Sequence, residues 1–529
     1  MSSMDRRTFL EFLGKSTVGM IFIPPLLSSC TSDEWKTIVP IAPASVDRIV
    51  LADGFFYDLL IKWGDPISAT DQFGFNNDFN AFIPFDPAKP DDGFLWVNHE
   101  YIHSGFVSGY WGKGAKSREQ VEKEMYAVGG SILHIRQKRN GAWEVVKNDP
   151  LNRRITGMTD IPFQWPTPIY GRTSAMGTLA NCAGGVTPWG TFLTCEENYD
   201  SFYGERDFQT GGLKPGSDKW YEQFDNPPEH YGWVVEVDPR TGAARKHVAL
   251  GRCAHESATV ASLPDGRVVV YSGDDANDQC LYKFVGSEPN TLEKGTLYVA
   301  DLEAGKWLPV DFAQQPLLQQ HFADQTEVLI RLREAAHLLG GTPLDRPEDV
   351  EIDPHTGAVV VALTNNLAKR NFYGSILRIE EDGGDHAALH FRHDTLLTGG
   401  PETGFACPDN LAFDAGGNLW FTSDISGSYM HKAPYEDFKN NALYVLPRQG
   451  PQAGQILRVA VAPTDAEFSG PWFAPDGRTL FLSVQHPGEN TGRPDELTSH
   501  WPDGGDSIPR PSVITIRGKA LDELQMSFE

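Results

Sequence analysis

The 529-residue sequence has no surplus of positive charge and, beyond residue 30, no apolar run long enough to span a bilayer. Its 71 Asp and Glu outnumber 45 Lys and Arg, for a formal net charge of −26. Nucleic-acid backbones are bound through basic surface, so no nucleic-acid partner is expected. The acidic surplus suits a protein that holds hard cations, and it equally suits a merely solvated surface. Cysteine is scarce. Apart from Cys30 there are five, Cys182, Cys195, Cys253, Cys280 and Cys407. A full set of disulfides among five would leave one thiol over, and in an oxidising compartment that thiol is a candidate metal ligand. No Walker-type glycine loop and no Gly-x-Ser-x-Gly elbow is present, which removes the commonest phosphate-cradle and serine-nucleophile designs.

The N-terminus has the shape of an address. Arg6-Arg7-Thr8-Phe9-Leu10 precedes a modestly apolar run from Val18 to Leu27, the pattern of a twin-arginine export signal. Leu27-Ser28-Ser29-Cys30 resembles a lipoprotein cleavage box, with Cys30 as the lipidated residue; an ordinary cleavage site a few residues on is the alternative. The chain therefore divides into an export signal over 1–30, a linker over 31–45 and one domain over 46–529. The expected location is the periplasm, the cell surface or the medium.

The 52 glycines and 37 prolines punctuate a repeat. Six times a Gly-containing turn leads into an alternating apolar strand that ends in polar or acidic residues. The turn pairs are Asp92-Gly93, Trp189-Gly190, Asp265-Gly266, Thr356-Gly357, Gly416-Gly417 and Asp476-Gly477, spaced 97, 76, 91, 60 and 60 residues apart. Each unit reads as a hairpin, and radial repetition of such units removes exposed sheet edges. The expected fold is all-β, a six-bladed propeller with loop insertions and one short inserted helix within Gln315–Leu339, on the rim or as a lid.

Counting back from the turn glycines, Cys182, Glu256, Glu348 and Asp409 lie 8, 10, 9 and 8 residues upstream. They occupy the start of similar strands in four blades, so their side chains should converge at one end of the channel. Several acids cannot all ionise in a confined space without cations. Carboxylates suit calcium, and a thiolate among them invites a transition metal. Strand-start acids could instead simply accept backbone hydrogen bonds. Arg346 could hold an anion against the cations or form an ion pair with Glu348 or Asp349. Asn98 and Glu100 could complete the site. His99-Glu100-Tyr101-Ile102-His103 matches the zinc-protease HExxH string, but that chemistry needs a helix and this match follows a strand.

The run Asn181-Cys182-Ala183-Gly184-Gly185, continuing to Thr194-Cys195-Glu196-Glu197-Asn198, resembles the PhoX-type alkaline phosphatase family. So do Asn98-His99-Glu100, His255-Glu256, Arg346-Pro347-Glu348-Asp349 and Pro408-Asp409-Asn410. The resemblance implies a calcium- and iron-dependent phosphomonoesterase acting on small phosphate esters, exported by the twin-arginine machinery and monomeric. It implies Cys182 as an iron ligand, with Glu197, Glu256, Glu348 and Asp409 sharing the metals and Glu100 and Glu196 as further ligands. Arg346 and Asn98 would grip the phosphate. The family's additional phosphate-binding lysine has no counterpart in the sequence, and Arg172 is the nearest basic residue before Cys182. A calcium-dependent lactonase and a non-catalytic, metal-stabilised ligand-binding propeller are the alternatives; neither needs both Cys182 and Arg346.

Overall fold

A computed structural model describes residues 37–526, so the twin-arginine motif and Cys30 lie outside the described residues. Strands of two to eleven residues pair into six antiparallel sheets of four or five strands each. Their innermost strands are Asn77–Asp86, Asn181–Val186, His255–Ser262, Pro347–Ile352, Pro408–Phe413 and Glu467–Phe473. Each packs against the next, and the last returns to the first, which closes a six-bladed ring.

The closure joins the two ends of the chain. The sixth blade takes three strands from the C-terminal part and its fourth, Phe56–Lys62, from the N-terminal part, with Tyr57 opposite Ile516. Val50–Leu51 likewise adds a strand to the fifth blade. The stretch expected to be a linker is docked where it is described. Ile38 is buried, and both its backbone groups hydrogen-bond the Gln452 side chain.

Between blades the cores are apolar and aromatic, as in the cluster of Phe82, Leu95, Leu133, Trp143, Phe481 and Val513 joining the first and sixth. Five of the six glycine pairs are hairpin turns: Gly190, Gly266, Gly357, Gly417 and Gly477 all have φ between 67° and 84°, where a side chain is strained. The first is not. Gly93 lies inside the strand Lys89–His99, paired with Pro84, and a Cβ there would come within 2.3 Å of the Ile83 carbonyl. The turn is at Pro87-Ala88, where Asp86 pairs with Lys89.

The Gln315–Leu339 insertion forms three short helices, Pro316–His321, Gln325–Ile330 and Leu332–Leu339. Leu318, Val328, Leu329, Leu332, Ala335 and Ala336 are buried with the second and third blades, so the segment is a fixed wall rather than a lid. A further helix, Arg118–Ala127, was not expected. Ser117 caps it through a reciprocal box with Gln120.

Candidate metal and phosphate site

The site is built from one local design repeated around the axis. Asp78, Cys182, Glu256, Glu348 and Asp409 are each the second residue of an innermost strand. In four of these five blades the residue just before the strand is left-handed: Asn76, Ala180, Arg346 and Cys407 have φ of 52°, 53°, 55° and 51°. Non-glycine residues avoid that region, and their recurrence at one register marks a local strain that the surrounding fold imposes. Each innermost strand also carries a bulge next to this entry, which turns the second side chain toward the axis.

A second ring comes from the end of each blade's second strand. The residues immediately after those strands are Glu100, Glu197, Asp275, Thr364, Asp424 and His486. In five blades the N–H of this residue donates to the carbonyl of the residue before the innermost strand, at 2.9–3.1 Å. One hydrogen bond thus fixes each pair: Asp78 with Glu100, Cys182 with Glu197, Glu256 with Asp275, Glu348 with Thr364, and Asp409 with Asp424. The sixth blade departs from the pattern and contributes Glu467 and His486.

All of these side chains except Glu256 and Thr364 line a cavity of about 140 Å³. Among the described residues nine carboxylates border it, together with one arginine, Arg346. Three sets of ligand atoms each lie within 4.8 Å of one another: Asp78, Glu100 and Cys182; Cys182, Glu197 and Glu256; and Glu256, Glu348 and Asp409. At that separation and an effective dielectric of about 20, two carboxylates repel by roughly 3.5 kcal/mol. Burial first, then the neighbouring acids, therefore push Glu256, Glu197, Asp409 and Asp78 well above the ordinary carboxylate range. The same two causes push the Cys182 thiol up.

Glu256 is the decisive residue. It is fully buried, and neither carboxylate oxygen has a hydrogen-bond partner. The nearest thiol, Cys182, is committed to Asp78 Oδ2 at 3.1 Å. An orphaned buried carboxylate costs several kcal/mol unless a cation meets it, so the residues present fit metal ions. Hard cations suit the oxygens, and the thiol adds a softer donor.

Arg346 sits at the cavity wall. Its Nε and Nη2 form a fork on Asp275, at 2.9 and 2.8 Å, and Nη2 also reaches Glu348 at 2.7 Å. Nη1 has no protein partner and remains for an anion. Among the described residues no lysine borders the cavity. Arg172 is elsewhere, bonded to Asn226 and the Asp225 carbonyl.

Two of the expected site residues face the wrong way. Asn98 is completely buried, and all its hydrogen-bonding capacity is used internally. Its Oδ1 accepts from Trp96 Nε1 and Thr194 Oγ1, and its Nδ2 donates to the carbonyls of Cys182 and Ala183. It braces the Cys182 strand and offers nothing to a phosphate. Glu196 points to the opposite face of its strand from Glu197, as side-chain alternation requires. There it pairs with buried Lys246 at 2.6 Å and accepts from the N–H groups of Gly232 and Trp233. The remaining expected residues, Cys182, Glu197, Glu256, Glu348, Asp409, Glu100 and Arg346, do converge.

Sequence reasoning missed Asp78, Asp275, Asp424, Glu467 and His486. Three of these, Asp275, Asp424 and His486, stand in the polar clusters that close the apolar strands, so the position after the second strand was the available signal. Asp78 was hidden because its hairpin turn was placed at Gly93 instead of Pro87. The HExxH string makes no zinc site. His99 ends a strand and bonds the Phe75 carbonyl and Ser131, while His103 bonds the Thr491 carbonyl. All five described cysteines are free.

Fold and site together define a six-bladed propeller whose acidic axial cavity fits metal ions and has Arg346 at its wall. The profile of the alkaline phosphatase PhoX family matches residues 37–488, and the chain belongs to that family. It is a metal-dependent phosphoric monoester hydrolase. Among solved structures it is similar to Pseudomonas fluorescens PhoX in complex with vanadate, a transition state analogue. Identity is 32% and the TM-score 0.82, covering 92% of this chain and 98% of that one. A Xanthomonas campestris gluconolactonase shares 12% identity at a TM-score of 0.36, covering 92% of this chain and all of the other. No curated protein matches.

Proposed function

We propose that this phosphatase works with calcium and iron held together in the axial cavity, and that the Cys182 thiol is the feature that admits iron. The observation that carries the reading is Glu256, whose two buried oxygens lack any donor while Cys182 lies in the same cluster of ligand atoms. Cys182, Glu197 and Glu256 would hold the softer ion; Glu256, Glu348 and Asp409, and Asp78 with Glu100, would hold calcium. When bound, these cations neutralise the phosphoryl oxygens and favour attack at phosphorus.

The chain's own part is positioning. Arg346 presents Nη1 to a phosphoryl oxygen, and the Asp275 fork keeps the guanidinium from swinging away. Asn198 donates to both Glu100, at 3.0 Å, and Glu197, at 2.8 Å, and so fixes the two carboxylates relative to each other. A cavity of about 140 Å³ accommodates the phosphoryl group and leaves the alcohol portion of the ester outside. Small phosphate esters are therefore the proposed substrates. The Arg6-Arg7 motif and Cys30 further suggest export by the twin-arginine route, with a lipid anchor as one outcome.

The test is phosphomonoester hydrolysis by protein matured in an exporting host, with bound metals quantified in the same sample. Activity should disappear on calcium chelation and return with calcium while iron stays bound. Full activity in protein free of iron would overturn the mixed-metal reading and leave the phosphatase class intact.

A further inference from the structure

A second cavity, of about 400 Å³, lies between the Arg118–Ala127 helix and the chain near residues 63–74. None of its lining residues borders the axial cavity. Its wall is aromatic and aliphatic, from Trp63, Phe73, Tyr126 and Val107. At its floor is the guanidinium of Arg154, a residue only 9% exposed. Buried Lys246 is met by a carboxylate, but Arg154, like buried Arg458, forms no ion pair among the described residues. Its Nε donates to the Gly130 carbonyl at 3.0 Å, Nη1 to Gln72 at 3.1 Å, and Nη2 to Val128 at 2.9 Å and Ala127 at 3.4 Å. Four of five N–H groups are used, all on neutral acceptors, and the second Nη1 N–H has no protein partner.

A buried positive charge without a counter-ion is as costly as a buried negative one. Tyr126 lies over the guanidinium at 5.3 Å, which eases part of that cost. Asp71, whose carboxylate accepts from the Tyr126 hydroxyl at 3.3 Å, adds an attraction to the guanidinium without forming an ion pair with it. The other charged groups bordering the cavity are Glu119, Glu122 and Lys123, with Lys123 already paired to Glu119 at 2.9 Å. Glu122 is likewise paired to Arg118 at 3.0 Å, so Arg154 is the charge left to balance a single negative charge on a ligand.

We propose that this cavity is a second ligand site that takes a small carboxylate with an aromatic or branched apolar body. The carboxylate would accept the free Nη1 N–H of Arg154, and the apolar body would rest against Trp63, Phe73 and Val107. Apolar walls with one placed charge are the ordinary design of small-molecule pockets.

Phenylacetate is the probe. Calorimetric titration of the metal-loaded protein is done in saturating inorganic phosphate, which occupies the axial site, with neutral phenylacetamide in parallel. Phenylacetate should bind saturably and phenylacetamide at least about tenfold more weakly. Arg154→Lys should weaken phenylacetate by a similar factor. Because Arg154 also ties down four carbonyls, Val107→Trp, which fills the cavity, provides the independent variant. It should abolish phenylacetate binding and leave phosphatase kcat unchanged. Absence of saturable binding, equal binding of the acid and the amide, or unchanged binding in Val107→Trp would overturn the proposal.

Discussion

The molecule buries carboxylates in two different settings, at the axis and between the layers of the blades. Between the layers a buried acid finds its partner within the chain: a cationic side chain in most cases, and for Asp414 the side-chain N–H groups of Trp420 and Asn418. Glu196 has Lys246 at 2.6 Å, Glu381 has Lys283 at 3.0 Å, Asp274 has Arg333 at 2.5 Å, and Glu236 has Arg245 at 2.9 Å. At the axis nine carboxylates and buried Glu256 share one arginine. Both regions consist of the same residue types at similar depth, so burial alone does not distinguish a structural acid from a functional one. The supply of positive charge does. The blades carry their own; the axis must import it.

The contrast is tested most severely at adjacent cysteines. Cys182 lies among axial carboxylates, and Cys195 lies in an apolar cluster with Leu193, Val234 and Ala258. Cys182→Ala should lower kcat/KM at least about a thousandfold, because removing a ligand withdraws several kcal/mol of charge stabilisation. Bound iron should fall with it, while circular dichroism stays that of a folded propeller. Cys195→Ala should keep both metals and activity, with a stability loss of about 1–2 kcal/mol from the small cavity left behind. Equal metal contents in the two variants would remove Cys182 from the site.

Stability should respond with opposite sign in the two regions. Glu196→Gln strands buried Lys246 and should destabilise by about 3–5 kcal/mol, with or without metals. Glu256→Gln removes one of several repelling charges, so the metal-free protein should become more stable, while the metal-loaded protein loses stability and metal. Urea unfolding of both variants in both metal states reads this out. Destabilisation of metal-free Glu256→Gln would mean that Glu256 has a stabilising partner and is no metal-directed orphan.

The way these two settings looked in the sequence explains what was legible there. The fold could be read because turn glycines and period-two apolar strands are local signals, and five of six hairpin turns fell at their glycines. The axial acids could be read because a shared strand register is a one-dimensional pattern. Strand alternation already set Glu196 on the opposite face from Glu197, and its partner Lys246, fifty residues on, shows what holds it there. Asn98 was mistaken because its acceptors lie in another blade, at Cys182 and Ala183. The helix Arg118–Ala127 did carry a local sign, Ser117 with Gln120 three residues later, which went unused.

The pH dependence sharpens the same division. Burial and neighbouring acids raise Glu256, Glu197, Asp409, Asp78 and Glu467 in the folded, metal-free chain. A carboxylate raised on folding binds more protons in the native than in the unfolded state between its two pKa values. The metal-free protein should therefore lose stability as pH rises from about 4 toward neutrality. Glu236 works the other way: burial would raise it, but the His247 and Arg245 hydrogen bonds outweigh this and hold it well below its usual range. Its contribution is present above the unfolded carboxylate pKa and lost only as pH falls far below it. With calcium bound the axial slope should reverse, because metal must displace protons. Thermal unfolding at pH 5 and 7, with and without calcium, distinguishes these cases, and parallel slopes in the two metal states would contradict the axial assignment.

The smallest effect on catalysis should come from Asn98, which separates bracing from binding. Asn98→Ala leaves the Trp96 indole N–H, the Thr194 hydroxyl and two carbonyls without their buried partner, at a cost of about 2–3 kcal/mol of stability. Any loss of kcat would pass through the Cys182 strand, whose backbone Asn98 holds. Affinity for inorganic phosphate as a product inhibitor should then stay within about twofold of wild type, since no atom of Asn98 is free to touch it. A tenfold or greater weakening of phosphate inhibition, in a variant that retains its metals, would show that Asn98 reaches the anion after all and that the axial site extends one residue back along the second strand.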